Sequence, residues 1–145
     1  MESMEVKMTK IVYNACYGGF SISDEAVERY AEIKGITLYS DNDKWGNHYY
    51  LCPVEEFNEI YKEEDNAPVG PGRYARSNAL CFSRRDISRA DPVLAQVVEE
   101  LGDRANGDFA KLEIEEVPTG TLYRIDEYDG MERVMLSGGY DWNVA

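Results

Sequence analysis

Residues 91–102 read DPVLAQVVEELG, which carries the clearest structural signal in the chain. Asp91 is a residue type that caps helices, and Pro92 is favoured at the first helical position. Apolar residues follow at helical spacing, and Gly102 is typical of a helix end. The stretch therefore predicts an amphipathic helix that packs one face against a core.

Strands are predicted on the C-terminal side of this helix. Residues 109–117 (FAKLEIEEV) alternate between apolar and polar side chains, as a half-buried strand does. Two more strands are predicted at 122–128 and 132–136, on either side of Asp129-Gly130. Because that dipeptide favours a tight turn, these two strands are expected to form a hairpin.

A strand, a turn and a second helix are predicted near the N-terminus. The stretch KIVYNAC at 10–16 is rich in β-branched and aromatic residues, which favour a strand. Ser21 or Ser23 can cap a helix over DEAVERYAEIK at 24–34. Gly35 follows as a helix stop signal.

The middle of the chain interrupts this pattern. After a short strand predicted at 36–39, residues 40–72 look like an insertion, with a helix after Pro53 (VEEFNEIYK) and a Pro/Gly loop (NAPVGPG). The order strand, helix, strand, insertion, helix and three strands predicts an α+β fold. We expect a small, mostly antiparallel sheet, two main helices and a C-terminal β-hairpin in a single domain, residues 1–145.

The composition excludes several classes of protein. There are 28 acidic and 15 basic side chains, and the net charge of −13 opposes binding to DNA or RNA. No apolar run is long enough to predict a membrane helix, so no membrane partner is expected. Three cysteines without CxxC spacing are typical of a reduced cytosolic protein rather than a disulfide scaffold.

The single histidine, His48, limits the catalytic interpretations. It lies in the aromatic stretch KWGNHYY, and a zinc site would need it together with Cys16, Cys52 and Cys81, whose spacing matches no zinc motif. Cys16 alone is a candidate nucleophile, but a small buried residue at a strand end explains it as well. We therefore expect no metal and no cofactor.

The turn after the first strand is a candidate ligand site. Gly18 and Gly19 stand between a strand and a helix, where backbone can approach a ligand closely and free N–H groups can hold an anion. The alternative is that the two glycines only make a sharp turn. The segment lacks both the Lys-Ser/Thr pair of a P-loop and the GxGxxG spacing.

Residues 73–90 form a local basic segment. Its charge is +4 and that of the remaining chain is −17, which together give −13. An anion site is one interpretation, because guanidinium groups bind phosphate oxygens bidentately. Ion pairs with the chain's own carboxylates are the other. The five arginines are Arg73, Arg76, Arg84, Arg85 and Arg89.

The C-terminal hairpin, TLYRIDEYDG, is a third candidate. Arg124 and Asp126 fall on one face of the predicted strand by alternation. Arg124 is placed to face a phosphate and Tyr128 to stack on a base. An exposed sheet face with ion pairs explains the same residues.

Three blocks together resemble the first family of Thoeris anti-defence proteins, which are small bacteriophage proteins. The blocks are KIVYNACYGGFSISDEAVERY, RADPVLAQVVEELGDRANGDFAKLEI and IDEYDG, and the likeness covers about residues 10–36 and 89–130. The family's Cys-aromatic-Gly-Gly-Phe turn falls on residues 16–20, and its Arg before the Asp-Pro helix start falls on Arg89. The resemblance implies that residues 40–85 are a family-variable insertion. The tail SGGYDWNVA departs from the basic and aromatic tail of many relatives, so contacts made from that tail are not expected in this chain.

The resemblance implies a binding protein rather than an enzyme. Family members sequester a glycocyclic ADP-ribose isomer, made by a bacterial TIR-domain enzyme, without degrading it, so that the host effector stays inactive. They act in the host cell cytoplasm as homo-dimers or hexamers, and some also hold cyclic trinucleotides. The ligand-binding residues expected in this chain are Cys16, Tyr17, Gly18, Gly19, Phe20, Ser21, Arg89, Asn106, Arg124 and Tyr128.

Two other functions remain open. An enzyme that cleaves a nucleotide signal through Cys16 would consume many ligand molecules per protein. An acidic inhibitor that mimics nucleic acid would bind a host defence protein and release it at high salt. The basic segment at 73–90 argues against mimicry, because a mimic gains nothing from positive charge.

Overall fold

The protein has a mixed α+β fold. A computed structural model describes residues 7–136 and 143–145 of the 145-residue chain. Within these residues there are four α-helices and three small antiparallel sheets, which confirms the predicted fold class. None of the helices described combines the length and the apolar character that crossing a membrane requires.

The helices and strands have the following bounds. The helices are α1 (Asp24–Lys34), α2 (Val54–Asp65), α3 (Ala75–Ala79) and α4 (Pro92–Leu101). The strands are β1 (Met8–Asn14), β2 (Tyr39–Asp43), β3 (Gly46–Tyr50), β4 (Cys81–Phe82), β5 (Leu112–Pro118), β6 (Leu122–Tyr128), β7 (Met131–Leu136) and β8 (Asn143–Val144).

The chain forms two compact units. The first unit combines the chain up to Tyr30 with the chain from Arg85 onward, and the second unit is residues 31–84. The second unit contains all of the insertion predicted at 40–72. Its helix α2 is the helix expected after Pro53.

Two sheets and one apolar cluster organise the first unit. Strand β1 pairs antiparallel with β5, and β6 pairs antiparallel with both β7 and β8. Ile11, Val117 and Tyr123 are buried together, and Ile125 and Val134 of the hairpin pack against them. One face of the β6–β7 hairpin therefore packs onto this core.

The two main helices occupy the predicted residues. Ser23 Oγ accepts a hydrogen bond from the Ala26 N–H at 3.1 Å, so Ser23 rather than Ser21 caps α1. Asp91 Oδ1 accepts from the Val93 N–H at 2.9 Å at the start of α4. Both helices begin at residues whose side chains satisfy otherwise unpaired N–H groups.

The strands differ from prediction at their ends. Strand β1 ends at Asn14 instead of continuing to residue 16, and the Asn14 N–H donates to Glu132 Oε1 at 2.9 Å. Strand β5 begins at Leu112 instead of residue 109, because Phe109 has a positive φ of 63°. A turn precedes β5, where the Ala110 N–H donates to the Gly107 carbonyl at 3.1 Å.

The two hairpins differ in how well they were predicted. Asp129 and Gly130 both have positive φ, 49° and 89°, as the predicted tight turn between β6 and β7 requires. The strand predicted at 36–39 is wrong in position, since β2 runs over Tyr39–Asp43 and pairs with β3. All five β2 residues are exposed, so cross-strand pairing rather than apolar patterning determines this strand.

Residues 137–142 of the C-terminal tail lie outside the described residues.

Candidate ligand-binding site

Three separate chain segments meet at the Gly18-Gly19 turn in the first unit. A Cβ built on Gly18 would lie 1.6 Å from the Phe109 carbonyl oxygen, so only glycine allows this approach. A Cβ on Gly130, in the β6–β7 turn, would lie 2.5 Å from the Tyr17 carbonyl oxygen. The glycines therefore bring the turn, the loop before β5 and the hairpin tip into direct contact.

Buried Asn14 joins the same three segments by hydrogen bonds. Its Nδ2 donates to the carbonyls of Cys16 at 2.7 Å and Gly130 at 2.9 Å. Its Oδ1 accepts from the Lys111 N–H at 2.8 Å. Asn14 is fully buried, so these bonds satisfy its own side-chain amide, which water does not reach.

Arg89 lies beneath the turn, and its guanidinium is held by a carboxylate of the protein. Nη1 and Nη2 donate to the two oxygens of Glu132 at 2.7 and 2.9 Å. The Arg89 guanidinium carbon lies 3.3 Å from the centroid of the Phe20 ring. An anion bound through the same two nitrogens would have to displace Glu132, so this geometry gives Arg89 a structural role that competes with the predicted ligand contact.

Three more of the residues expected to bind ligand form hydrogen bonds to the backbone around the turn. Cys16 Sγ donates to the Phe109 carbonyl at 3.0 Å. The Ser21 carbonyl accepts from the Gly107 N–H at 2.9 Å, and Asn106 Oδ1 accepts from the Leu112 N–H at 2.9 Å. In each case the observed contact holds one of the segments in place.

Large aromatic side chains are exposed around this turn. Tyr17, Phe109 and Tyr128 are 62%, 85% and 79% exposed. Phe109 was not predicted as a site residue, because apolar alternation placed it in a regular strand. The signal available was the polar Asn106-Gly107 pair just before it, which is typical of a loop rather than of a strand.

A cavity of about 510 Å³ lies along the β6–β7 hairpin beside Tyr128. Each of its three carboxylates has a partner: Asp126 pairs with Arg124 at 2.9 Å, Glu127 accepts from the Gly130 N–H at 3.1 Å, and Glu132 binds Arg89. The residues that line the cavity are Asp126, Glu127, Tyr128, Met131, Glu132 and Arg133.

Arg133 differs from the other charged groups that line this cavity. It is exposed, and no ion pair joins it to any of the residues that the structure describes. Register pairs Asp126 with Arg133 and Tyr128 with Met131, so Arg133 and Tyr128 share one face of the hairpin. The sequence alone did not single out Arg133, which carries the available positive charge in the cavity.

The basic segment at 73–90 does not form one site within a single unit. Arg73 donates to the Glu64 carbonyl and contacts Asp65, and Arg76 pairs with Glu63 at 3.4 Å. The ends of the segment belong to different compact units. Arg73, Arg76 and Arg89 all contact carboxylates, as the ion-pair interpretation expects.

The structure also gives the positions of His48 and the three cysteines, the candidates for metal binding or nucleophilic chemistry. His48 Nε2 lies 3.0 Å from Asp43 Oδ2 on the β2–β3 hairpin. Cys16 belongs to the first unit, whereas Cys52 and Cys81 belong to the second. Across residues 7–136 and 143–145, no group of three or more His, Cys, Asp or Glu side chains is arranged to hold a metal ion.

No protein-family model, curated protein or solved structure matches this chain. At the site, exposed aromatic faces, a cavity and the Arg133 guanidinium lie on the same compact unit.

Proposed function

We propose that the protein is a non-catalytic sponge for a nucleotide signal of the cyclic ADP-ribose class. It sequesters the signal made by a bacterial TIR-domain enzyme and so keeps the host effector inactive. The observation that carries the proposal is the group of exposed aromatic side chains around the Gly18-Gly19 turn, Tyr17, Phe109 and Tyr128, of which Tyr128 also lines the hairpin cavity. The resemblance to phage anti-defence proteins supplies the identity of the signal.

The chemistry of the ligand matches the groups that the site leaves available. An adenine base stacks on aromatic faces, a contact worth about 1–3 kcal/mol per base. A pyrophosphate needs cationic or N–H donors, and the Arg133 guanidinium, which no other described residue pairs with, lies on the same hairpin face as Tyr128. Asp126 and Glu132 are ion-paired with Arg124 and Arg89, so they oppose the anion less than free carboxylates would.

Sequestration depends on affinity and needs no turnover. A sponge must hold its ligand more tightly than the effector does, and a nanomolar Kd corresponds to about −12 kcal/mol. Stacking and a charge-assisted contact from one subunit supply only part of this. We therefore propose that a second copy of the chain closes the cavity, in a homo-dimer or hexamer that acts in the host cytoplasm. Cyclic trinucleotides are a second ligand class to test.

The test is calorimetric titration of the purified protein with the cyclic ADP-ribose isomer, followed by heating and mass spectrometry of the released ligand. We expect tight binding at a fixed stoichiometry and release of the ligand with its mass unchanged. Absence of binding heat would overturn the proposal. A product of altered mass, formed in excess over protein, would instead favour a nucleotide-cleaving enzyme.

Substitutions at the hairpin cavity test whether the ligand binds there. Tyr128→Ala and Arg133→Ala each remove one proposed contact, so each is expected to raise Kd about 10- to 100-fold, which corresponds to about 1.4–3 kcal/mol. Arg104→Ala is the matched control, since Arg104 is an exposed arginine of the same unit that pairs with Glu25 at 3.4 Å. Equal effects of Arg133→Ala and Arg104→Ala would show that only net charge matters and that the hairpin is not the site.

A further inference from the structure

A row of aromatic rings runs through the second compact unit, which contains no residue used in the proposed function. It consists of Tyr50, Phe57, Tyr61 and Tyr74, and we call it the aromatic row. The successive ring centroids are 4.2, 6.2 and 5.5 Å apart, with interplanar angles of 32°, 22° and 19°. Phe57, Tyr61 and Tyr74 are therefore stacked in succession, and the Tyr50 ring is tilted against Phe57 at the end of the row.

The row is assembled from three elements. Phe57 and Tyr61 are four residues apart on α2 and so lie on the same helix face. Tyr50 ends β3, and Tyr74 precedes α3. Tyr61 is 46% exposed, so the row reaches the solvent instead of being buried in a core.

The protein's own Arg73 shows which chemistry this row accepts. Its guanidinium carbon lies 5.3 Å from the centroid of the Tyr74 ring. Its Nε donates to the Glu64 carbonyl at 3.0 Å, and its guanidinium also contacts Asp65. A guanidinium is thus held by an aromatic face together with oxygen acceptors.

Negative charge surrounds the row. Burial raises the pKa of Tyr50, and the nearby carboxylates of Asp41 and Asp43 raise it further. At the other end, the Tyr74 hydroxyl donates to Asp65 at 2.8 Å, and this bond raises the pKa of Tyr74. Helix α2 carries six carboxylates and one lysine. The row and its surroundings therefore repel anions and attract cations.

We propose that the aromatic row is a docking surface for an arginine-rich segment of a partner protein. Guanidinium groups stack on tyrosine rings and pair bidentately with carboxylates, whereas an ammonium group acts as a point charge. Nucleic acids and anionic membranes are unsuitable occupants, because the carboxylates around the row repel phosphate. The proposal does not depend on the nucleotide function, since every residue that carries it lies in the second unit.

The test compares two fluorescent peptides, octa-arginine and octa-lysine, binding to the full chain at 0.15 M salt. The two peptides carry the same charge, so net charge alone would give them equal affinity. We expect octa-arginine to bind about tenfold more tightly, since stacking and bidentate pairing are available only to arginine. Equal affinities, or a preference for lysine, would overturn the proposal.

Two variants assign the preference to the row. Tyr61→Ala removes the exposed ring and is expected to bring the affinity ratio close to one, and Tyr61→Leu tests the same loss with most of the apolar volume kept. Trp45→Ala is the matched control, because Trp45 is an exposed aromatic residue of the same unit outside the row. Folding of each variant is checked by circular dichroism. If the affinity ratio stayed unchanged in both Tyr61 variants, or if it fell as much in Trp45→Ala as in Tyr61→Ala, the preference for arginine would lie elsewhere and the proposal would be overturned.

Discussion

Arg89 and Glu132 lie at the centre of the polar network beneath the Gly18-Gly19 turn. Glu132 is 8% exposed, and it accepts from both the Arg89 guanidinium and the Asn14 N–H. A buried ion pair adds little net stability, but removing one partner leaves an uncompensated charge. Loss of ligand uptake in Arg89→Ala would therefore report damage to this network as well as any lost contact.

A double-mutant cycle on this pair measures its structural role. Arg89→Met and Glu132→Met are each expected to lower the free energy of unfolding by about 3 kcal/mol, because each leaves its partner unpaired. The double variant is expected to lose no more than either single variant, so the coupling energy is about 3 kcal/mol. Urea unfolding followed by circular dichroism measures all four proteins.

The exposed pair Arg76–Glu63 provides the control cycle. Its side chains are 65% and 70% exposed and 3.4 Å apart. Solvent screening should limit its coupling energy to less than about 1 kcal/mol. If the Arg89–Glu132 coupling were equally small, the pair would be no structural anchor, and the predicted ligand role of Arg89 would be favoured instead.

At the level of elements, buried Glu64 connects α2 to α3 by hydrogen bonds. Its carboxylate accepts from the Ser77 hydroxyl at 2.6 Å and from the Arg76 N–H at 2.9 Å. Burial alone would raise the pKa of Glu64, but the hydrogen bonds from Ser77 and Arg76 outweigh burial and hold the pKa below its ordinary value of 4.5. The native state therefore prefers the ionised carboxylate.

This preference makes the contribution of Glu64 depend on pH. A carboxylate whose pKa is lowered by folding stabilises the protein above its unfolded pKa, and this stabilisation is lost as the pH falls through the folded pKa. We expect Glu64→Gln to lower the urea unfolding midpoint at pH 7, and we expect the gap from wild type to shrink at pH 3. Glu59→Gln, on the exposed face of α2, is the control and should leave the midpoint near wild type at both pH values. A gap at pH 3 as wide as that at pH 7 would contradict the assignment.

The elements that were predicted well are those whose signals are local. Helices α1 and α4 carry their caps in their own sequence, at Ser23 and Asp91. The β6–β7 hairpin carries its turn in Asp129-Gly130. Strand β2 was misplaced because its residues pair across a hairpin without burying an apolar face, so no apolar alternation marks it.

The candidate site was predictable only in part, for the same reason. The turn residues and Tyr128 were named from residue type, and they do belong to the same compact unit. The partner of Arg89 is 43 residues away in sequence, and no local pattern connects the two. The positions of Phe109 and Arg133 likewise became visible only once long-range contacts showed what surrounds them.

For the whole molecule, the net charge of −13 opposes the approach of an anionic ligand. The proposed site therefore has to attract a dianion locally while the protein repels it at longer range. Salt screens the two effects to different extents, because the Debye length falls from about 30 Å at 0.01 M to about 8 Å at 0.15 M. Added salt therefore weakens the repulsion from the whole surface more than it weakens a direct contact with Arg133.

We therefore expect the association rate constant for the cyclic ADP-ribose isomer to increase with salt, by about threefold between 0.01 and 0.15 M. Stopped-flow measurement of intrinsic fluorescence gives this rate constant. In Arg133→Ala the same upward trend should persist, since the net charge changes only from −13 to −14, while the dissociation rate constant rises. A rate constant that fell with salt would mean that a positive local potential dominates the approach. The hairpin cavity would then be more strongly cationic than its partnered carboxylates and the Arg133 guanidinium allow, and the site would have to lie elsewhere on the chain.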